Sequence, residues 1–181
     1  MKFIRTIIAT LLLLSLTVAT AFSQNTFKQN FDDIATIDFP KQPVVSNLPN
    51  GMGLMYKADV APNAFVVLSF KMKDLIVKDS ISLHDLYTGI VAGAANPKNK
   101  KELLYNKEIV IQGLHGIEFC YKDSAVEQNI RYIYQRAIYF NNTILIVSGS
   151  LPFADKDKYK AQLDTFVKSF TVKQGTITQF N

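Results

Sequence analysis

The chain has 181 residues, 48% of them hydrophobic, with 20 Lys and Arg against 15 Asp and Glu, a single Cys and no Trp. This composition describes an ordinary globular domain and excludes long disorder. With only 8 Gly and one Cys, a collagen-like chain and a scaffold stapled by internal disulfides are excluded too.

Residues 1–23 read as an export signal and are set aside before any fold reasoning. Lys2 and Arg5 form the charged start, and residues 7–18 the apolar stretch. Ala19, Ala21 and Ser23 are small, so a signal peptidase could cut after Ala21 or, preferably, after Ser23 to leave Gln24 first. An uncleaved anchor fits less well. Thr10, Ser15, Thr17 and Thr20 dilute the span, and its apolar part is shorter than the roughly 20 residues a bilayer needs. A lipid anchor would require Cys as the first mature residue, yet the only Cys is Cys120. The expectation is an exported chain, periplasmic or secreted, with no stable membrane anchor after cleavage. Taking 23 of the 181 residues and two of the 20 basic ones away leaves 158 residues with 18 basic against 15 acidic. That excess gives no support for a nucleic-acid partner, which needs clustered Lys and Arg. Lys98, Lys100 and Lys101, which follow Asn96-Pro97, read as a solvated loop.

No internal repeat, low-complexity tract or linker divides residues 24–181, which are expected to form one domain. Alternation predicts a strand over 34–39, stopped by Pro40, and further strands over 53–60 and 64–72, the latter apolar on both faces and so expected to be internal and covered on both sides. The period then changes. Leu83, Leu86, Tyr87, Ile90, Val91 and Ala94 fall on one helical stripe over 82–96, with Ser82 and Asp85 as the expected capping box. Gly89 and Gly93 are expected to let this helix lie close to its neighbour. Four antiparallel strands follow, over 102–112, 116–122, 129–140 and 143–151, with Asn141-Asn142 as a two-residue hairpin link. A closing helix is capped by Asp155 or Asp157 and puts Tyr159, Leu163, Phe166, Val167 and Phe170 on one face. Residues 171–181 add a short edge strand or fray.

This order is α+β: an antiparallel sheet of about six to seven strands flanked by two main helices. Three stretches carry a family resemblance: Ile37-Asp38-Phe39-Pro40-Lys41-Gln42-Pro43, the hairpin over 131–146 with Tyr132, Tyr134 and Tyr139, and Phe166-Val167-Lys168-Ser169-Phe170. On these the chain resembles the PsbP-like fold superfamily, which includes the extrinsic photosystem II subunit, a Ran-binding nuclear-import factor and exported bacterial proteins. The resemblance spans most of 27–172 as a pattern of elements. It implies an α/β/α sandwich that binds or assembles rather than catalyses, and no family site residue is carried over.

Reactive side chains give little chemistry. His115, Glu118 and Cys120 form the richest polar cluster, but in a strand His115 and Glu118 point to opposite faces, and no further ligand is near enough to complete a metal site. The expectation is no metal and no cofactor, with a turn His, a surface Glu and a buried inert thiol. Ser148-Gly149-Ser150 lacks a nucleophile elbow, and Gly51-Met52-Gly53 lacks the residues of a phosphate loop. Arg131, Tyr132, Tyr134 and Arg136 could form an interaction patch on an uncovered face, although aromatic packing beneath a helix is the more ordinary role. The expected function is therefore a non-catalytic binding or assembly module of the bacterial envelope. The alternatives are a carrier of a small apolar ligand between the sheet and the helix over 82–96 and, less favoured, a hydrolase using His84 or His115.

Overall fold

Residues 26–32, 34–72, 75, 77–173 and 179–180 are described by a computed structural model, so the expected signal and its cleavage site lie outside the described residues. The elements are β1 (Phe27–Phe31), β2 (Ala35–Phe39), β3 (Val44–Asn47), β4 (Gly53–Val60), β5 (Asn63–Lys71), α1 (Ser80–Ala94), β6 (Lys101–Ile111), β7 (Leu114–Asp123), β8 (Arg131–Phe140), β9 (Thr143–Pro152), α2 (Lys156–Lys168) and β10 (Thr171–Val172).

Two meanders build the principal sheet. Strands β3, β4 and β5 run antiparallel in sequence; the chain then crosses by α1 to the far edge and returns through β6, β7, β8 and β9, so that β9 pairs with β5. The order across the seven strands is β3-β4-β5-β9-β8-β7-β6. Two tight turns fix the registers of the second meander. Asn141 and Asn142 both have positive φ, as do Gln112 and Gly113, which is the twist a two-residue hairpin link requires. The strand expected over 34–39 does not join this sheet. It is β2, the centre of a separate three-stranded sheet in the order β1-β2-β10.

Strand alternation sends two apolar sets to opposite faces. On one, α1 buries Leu83, Tyr87 and Val91 against Ile117, Phe119 and Tyr121 of β7, Ala137 and Tyr139 of β8, and Ile144 and Ile146 of β9. On the other, α2 and the small sheet cover the centre: Phe166 lies 5.0 Å from Phe65 and 5.2 Å from Phe39, ring to ring. Burying one such aromatic side chain contributes about 2–3 kcal/mol. Gly149 of β9 makes room for Leu163 of α2: a Cβ there would stand 2.2 Å from Leu163 Cδ1, so that side chain would have to move.

Several expectations change. Helix α1 starts earlier than its stripe suggested: the N-cap is Asp79, whose carboxylate accepts from Ser82 N at 2.8 Å while Ser82 Oγ accepts from Asp79 N at 3.2 Å. Gly89 and Gly93 are exposed, and a Cβ at either would meet nothing within 4 Å, so they do not bring α1 closer to the sheet. Strand β5 is internal, but buried only at alternate positions; Val66, Leu68 and Phe70 are half-buried because α1 sits over β7 and β8.

Candidate functional site

The most elaborate polar arrangement lies at the β6–β8 end of the α2 face. Pairing sets Lys107, Glu118 and Arg136 in one cross-strand row and Tyr105, Cys120 and Tyr134 in the next. Glu118 is 4% exposed and is the hub. Its Oε2 accepts from Tyr134 Oη, from Arg136 Nε at 2.8 Å and from Arg136 Nη2 at 2.7 Å. Its Oε1 accepts from Lys107 Nζ at 2.9 Å and Tyr105 Oη at 3.2 Å. This corrects the expectation of a surface Glu: Gly116, Glu118 and Cys120 share the face that α2 and its neighbours cover.

Burial opposes the charge on Glu118, but the bonds from Tyr134, Lys107 and Arg136 outweigh it and bring the carboxyl down from 4.5 to about 2. The phenols of Tyr134 and Tyr105 are pushed up by burial and by the adjacent Glu118, and that of Tyr132 by burial and the neighbouring Cys120. The Cys120 thiol is buried and raised mainly by desolvation. These shifts define what the cluster can do. A carboxylate with both oxygens occupied and so low a pKa is a poor base at neutral pH, and a protonated buried thiol is a poor nucleophile. What remains is a rigid set of phenol donors and cations. The Arg136 guanidinium carbon also lies 5.6 Å from the Tyr134 ring centroid, within cation–π range.

Beside this cluster a recess of about 140 Å³ opens between the sheet and the first turn of α2, walled by Tyr105, Tyr132, Tyr134, Lys156 and Lys160, with Leu163 on its helix side. Of the residues considered from sequence, Tyr132 and Tyr134 line this recess, and Arg136 lies beside it on Glu118. Arg131 does not: it lies on the opposite face of β8, where Nε donates to Ser150 Oγ at 3.0 Å and Nη2 to the carbonyl oxygens of Ser150 and Pro62, each at 2.8 Å. Tyr105 and Lys107 are the members that the sequence reading missed, and Glu118 was singled out there but read as a surface residue.

The histidines stand elsewhere. His84 is exposed on α1, with Nδ1 3.2 Å from Glu108 Oε1, and His115 is exposed while its carbonyl accepts from Tyr87 Oη at 2.7 Å. Neither is hydrogen-bonded to a serine or to Cys120 among the described residues. No three His, Cys, Asp or Glu side chains are grouped to hold a metal ion among those residues, and no helix of the described residues is long and apolar enough to cross a membrane. The centre of the α1 face is packed by the side chains named above, and a recess of about 220 Å³ lies between α1 and β6–β7, lined by His84, Tyr87, Thr88, Val91, Asn106 and Glu108.

No family model matches the chain, and no curated protein sequence matches it. Solved structures do. The chain is similar to cyanobacterial PsbP (CyanoP) from Synechocystis, with a TM-score of 0.61 at 12% identity over 85% of this chain and 96% of that one. It is also similar to PA94, a protein of unknown function from Pseudomonas aeruginosa, with a TM-score of 0.50 at 13% identity over 83% of this chain and 99% of that one. The Saccharomyces cerevisiae Ran-binding protein Mog1p matches with a TM-score of 0.50 at 13% identity, over 83% and 96%. The fold is therefore PsbP-like, as the three sequence stretches implied.

Proposed function

We propose that the chain is an exported, non-catalytic binding module of a bacterial envelope, and that it docks a partner protein through the tyrosine-walled recess between β6–β8 and α2. The observation that carries this reading is the Glu118 network. Five donors converge on one buried carboxylate and thereby hold Tyr105, Tyr134 and Arg136 in fixed rotamers before any partner arrives. A side chain already immobilised loses little further entropy on binding, and Tyr and Arg are the residues that dominate binding energy at protein interfaces. A protein of this fold, Mog1p, is named for binding another protein, which supports a partner of that kind. Export rests on the charged start, apolar stretch and small residues within 1–23.

Two experiments test it. N-terminal sequencing of the protein recovered from its own cells is expected to begin at Gln24; an intact Met1 contradicts export. A photo-crosslinking amino acid in place of Tyr132 is expected to give a discrete protein adduct in those cells, whereas the same group at Ile81, 72% exposed at the start of α1, gives none. Equal labelling from both positions overturns the assignment of the face.

A further inference from the structure

Strand β6 is an edge of the sheet, paired only with β7 among the described residues, and it runs for 11 residues. Leu103, Leu104, Tyr105 and Val110 are exposed by 42%, 41%, 38% and 62%. A long edge with apolar side chains is a template for further strand pairing, which charged side chains, Pro or bulges restrict to partners that match them. The charges here alternate in sign. The strand carries Lys101-Glu102 near its start and Lys107-Glu108 beyond its middle, so the order reverses onto itself when the strand is turned antiparallel.

The β-bulge makes that reversal geometrically consistent. Register with β7 shifts between Leu103 and Tyr105, so the residues before and after Leu104 exchange faces. Glu102, opposite Lys122, and Lys107, opposite Glu118, consequently share the α2 face; Lys101, opposite Asp123, and Glu108, opposite Ile117, share the α1 face. Without the bulge, a pairing that matched these charges would have set side chains of opposite faces against each other.

We propose that β6 pairs antiparallel with β6 of a second copy of this chain about a two-fold axis between Leu104 and Tyr105. Lys101 then faces Glu108 of the second copy, Glu102 faces Lys107, and Leu104 meets Tyr105 at the axis. Both strands gain ladder hydrogen bonds, and the closed two-fold leaves no free β6 edge for further growth. The two tyrosine recesses come to lie on one face of a single continuous sheet. This assembly goes beyond the docking reading and does not depend on it.

Sedimentation of the purified protein between about 1 and 100 µM is expected to show a dimer, with cross-strand repulsion in Glu108→Lys, against Lys101, or in Lys101→Glu, against Glu108, weakening it by about tenfold or more. The double variant Lys101→Glu with Glu108→Lys restores opposite charges across the axis and is expected to return to within about threefold of the parent affinity. Circular dichroism melts confirm that each variant is folded. A parent protein that stays monomeric throughout overturns the proposal. So does a dimer indifferent to both single substitutions, or a folded double variant with no recovery.

Discussion

The two faces of the seven-stranded sheet are built on different principles. Under α1, the interior is apolar and its main polar group, the Tyr87 hydroxyl, is spent on the backbone: it accepts from Tyr139 N at 2.9 Å and donates to the His115 carbonyl. The side chain of Gln179 continues the same repair by accepting from His115 N at 2.9 Å, at the point where the pairing of β7 with β8 ends. Under α2, the centre is as apolar, but at the β6–β8 end a charged residue is buried and surrounded by five donors. Polar groups on the first face complete the fold. Those on the second fix the walls of an open recess, an outlay that packing does not require, since apolar residues of similar volume often serve a core equally well.

The contrast predicts a graded set of responses. The largest is expected from truncating the apolar face: Phe119→Ala, at a fully buried position, costs about 3–5 kcal/mol in denaturant unfolding. A loss below 1 kcal/mol would deny that α1 seals a packed core. Removing the hub comes next. Glu118→Ala leaves the buried Tyr134 hydroxyl and the half-buried Arg136 guanidinium without their acceptor and is expected to cost about 3 kcal/mol.

The pH dependence of this hub has a definite sign. Its folded pKa, about 2, lies below the ordinary 4.5, so the stabilisation is fully present above about pH 5 and is lost as pH falls through 4.5 towards 2. That interval corresponds to roughly 3 kcal/mol, and Glu118→Gln is expected to flatten the stability profile there; an unchanged slope would show that the carboxylate is not held as described. Tyr87→Phe keeps the ring but takes an acceptor from the Tyr139 N–H and one of two donors from the His115 carbonyl, which keeps its bond from Gln179 Nε2, at about 1 kcal/mol by thermal melting. The smallest stability effect is expected from Tyr132→Ser, which removes a half-buried ring from the recess wall at about 1 kcal/mol.

Much of this contrast was legible in the chain. Periodicity located both helices and six of the seven strands of the principal sheet, because each element must keep one face apolar and the spacing of Leu83, Tyr87 and Val91, or of Leu163, Phe166 and Val167, admits one interpretation; the four-residue edge strand β3, with no buried residue, was missed. The small sheet was harder. Strand β1 has only Phe31 buried, and β10 is two residues long, so neither carries a pattern. The recess was half legible: Tyr132, Tyr134 and Arg136 alternate on one strand, but Glu118 reads as a surface residue in isolation. Only the register placed Lys107 and Arg136 on either side of it. That register was available in outline from the turns at Gln112-Gly113 and Asn141-Asn142, which set which residues lie opposite one another. Arg131 was misgrouped for a simpler reason, since adjacent residues of a strand point to opposite faces.

The claim that the tyrosine-walled end is the binding face is tested most directly by the affinity of the crosslinked partner for two variants measured side by side. Tyr132→Ser is expected to weaken it by about tenfold or more while the protein stays folded, and Ile81→Ser, on the start of α1, to leave it unchanged. Equal affinity for the two variants would contradict the account.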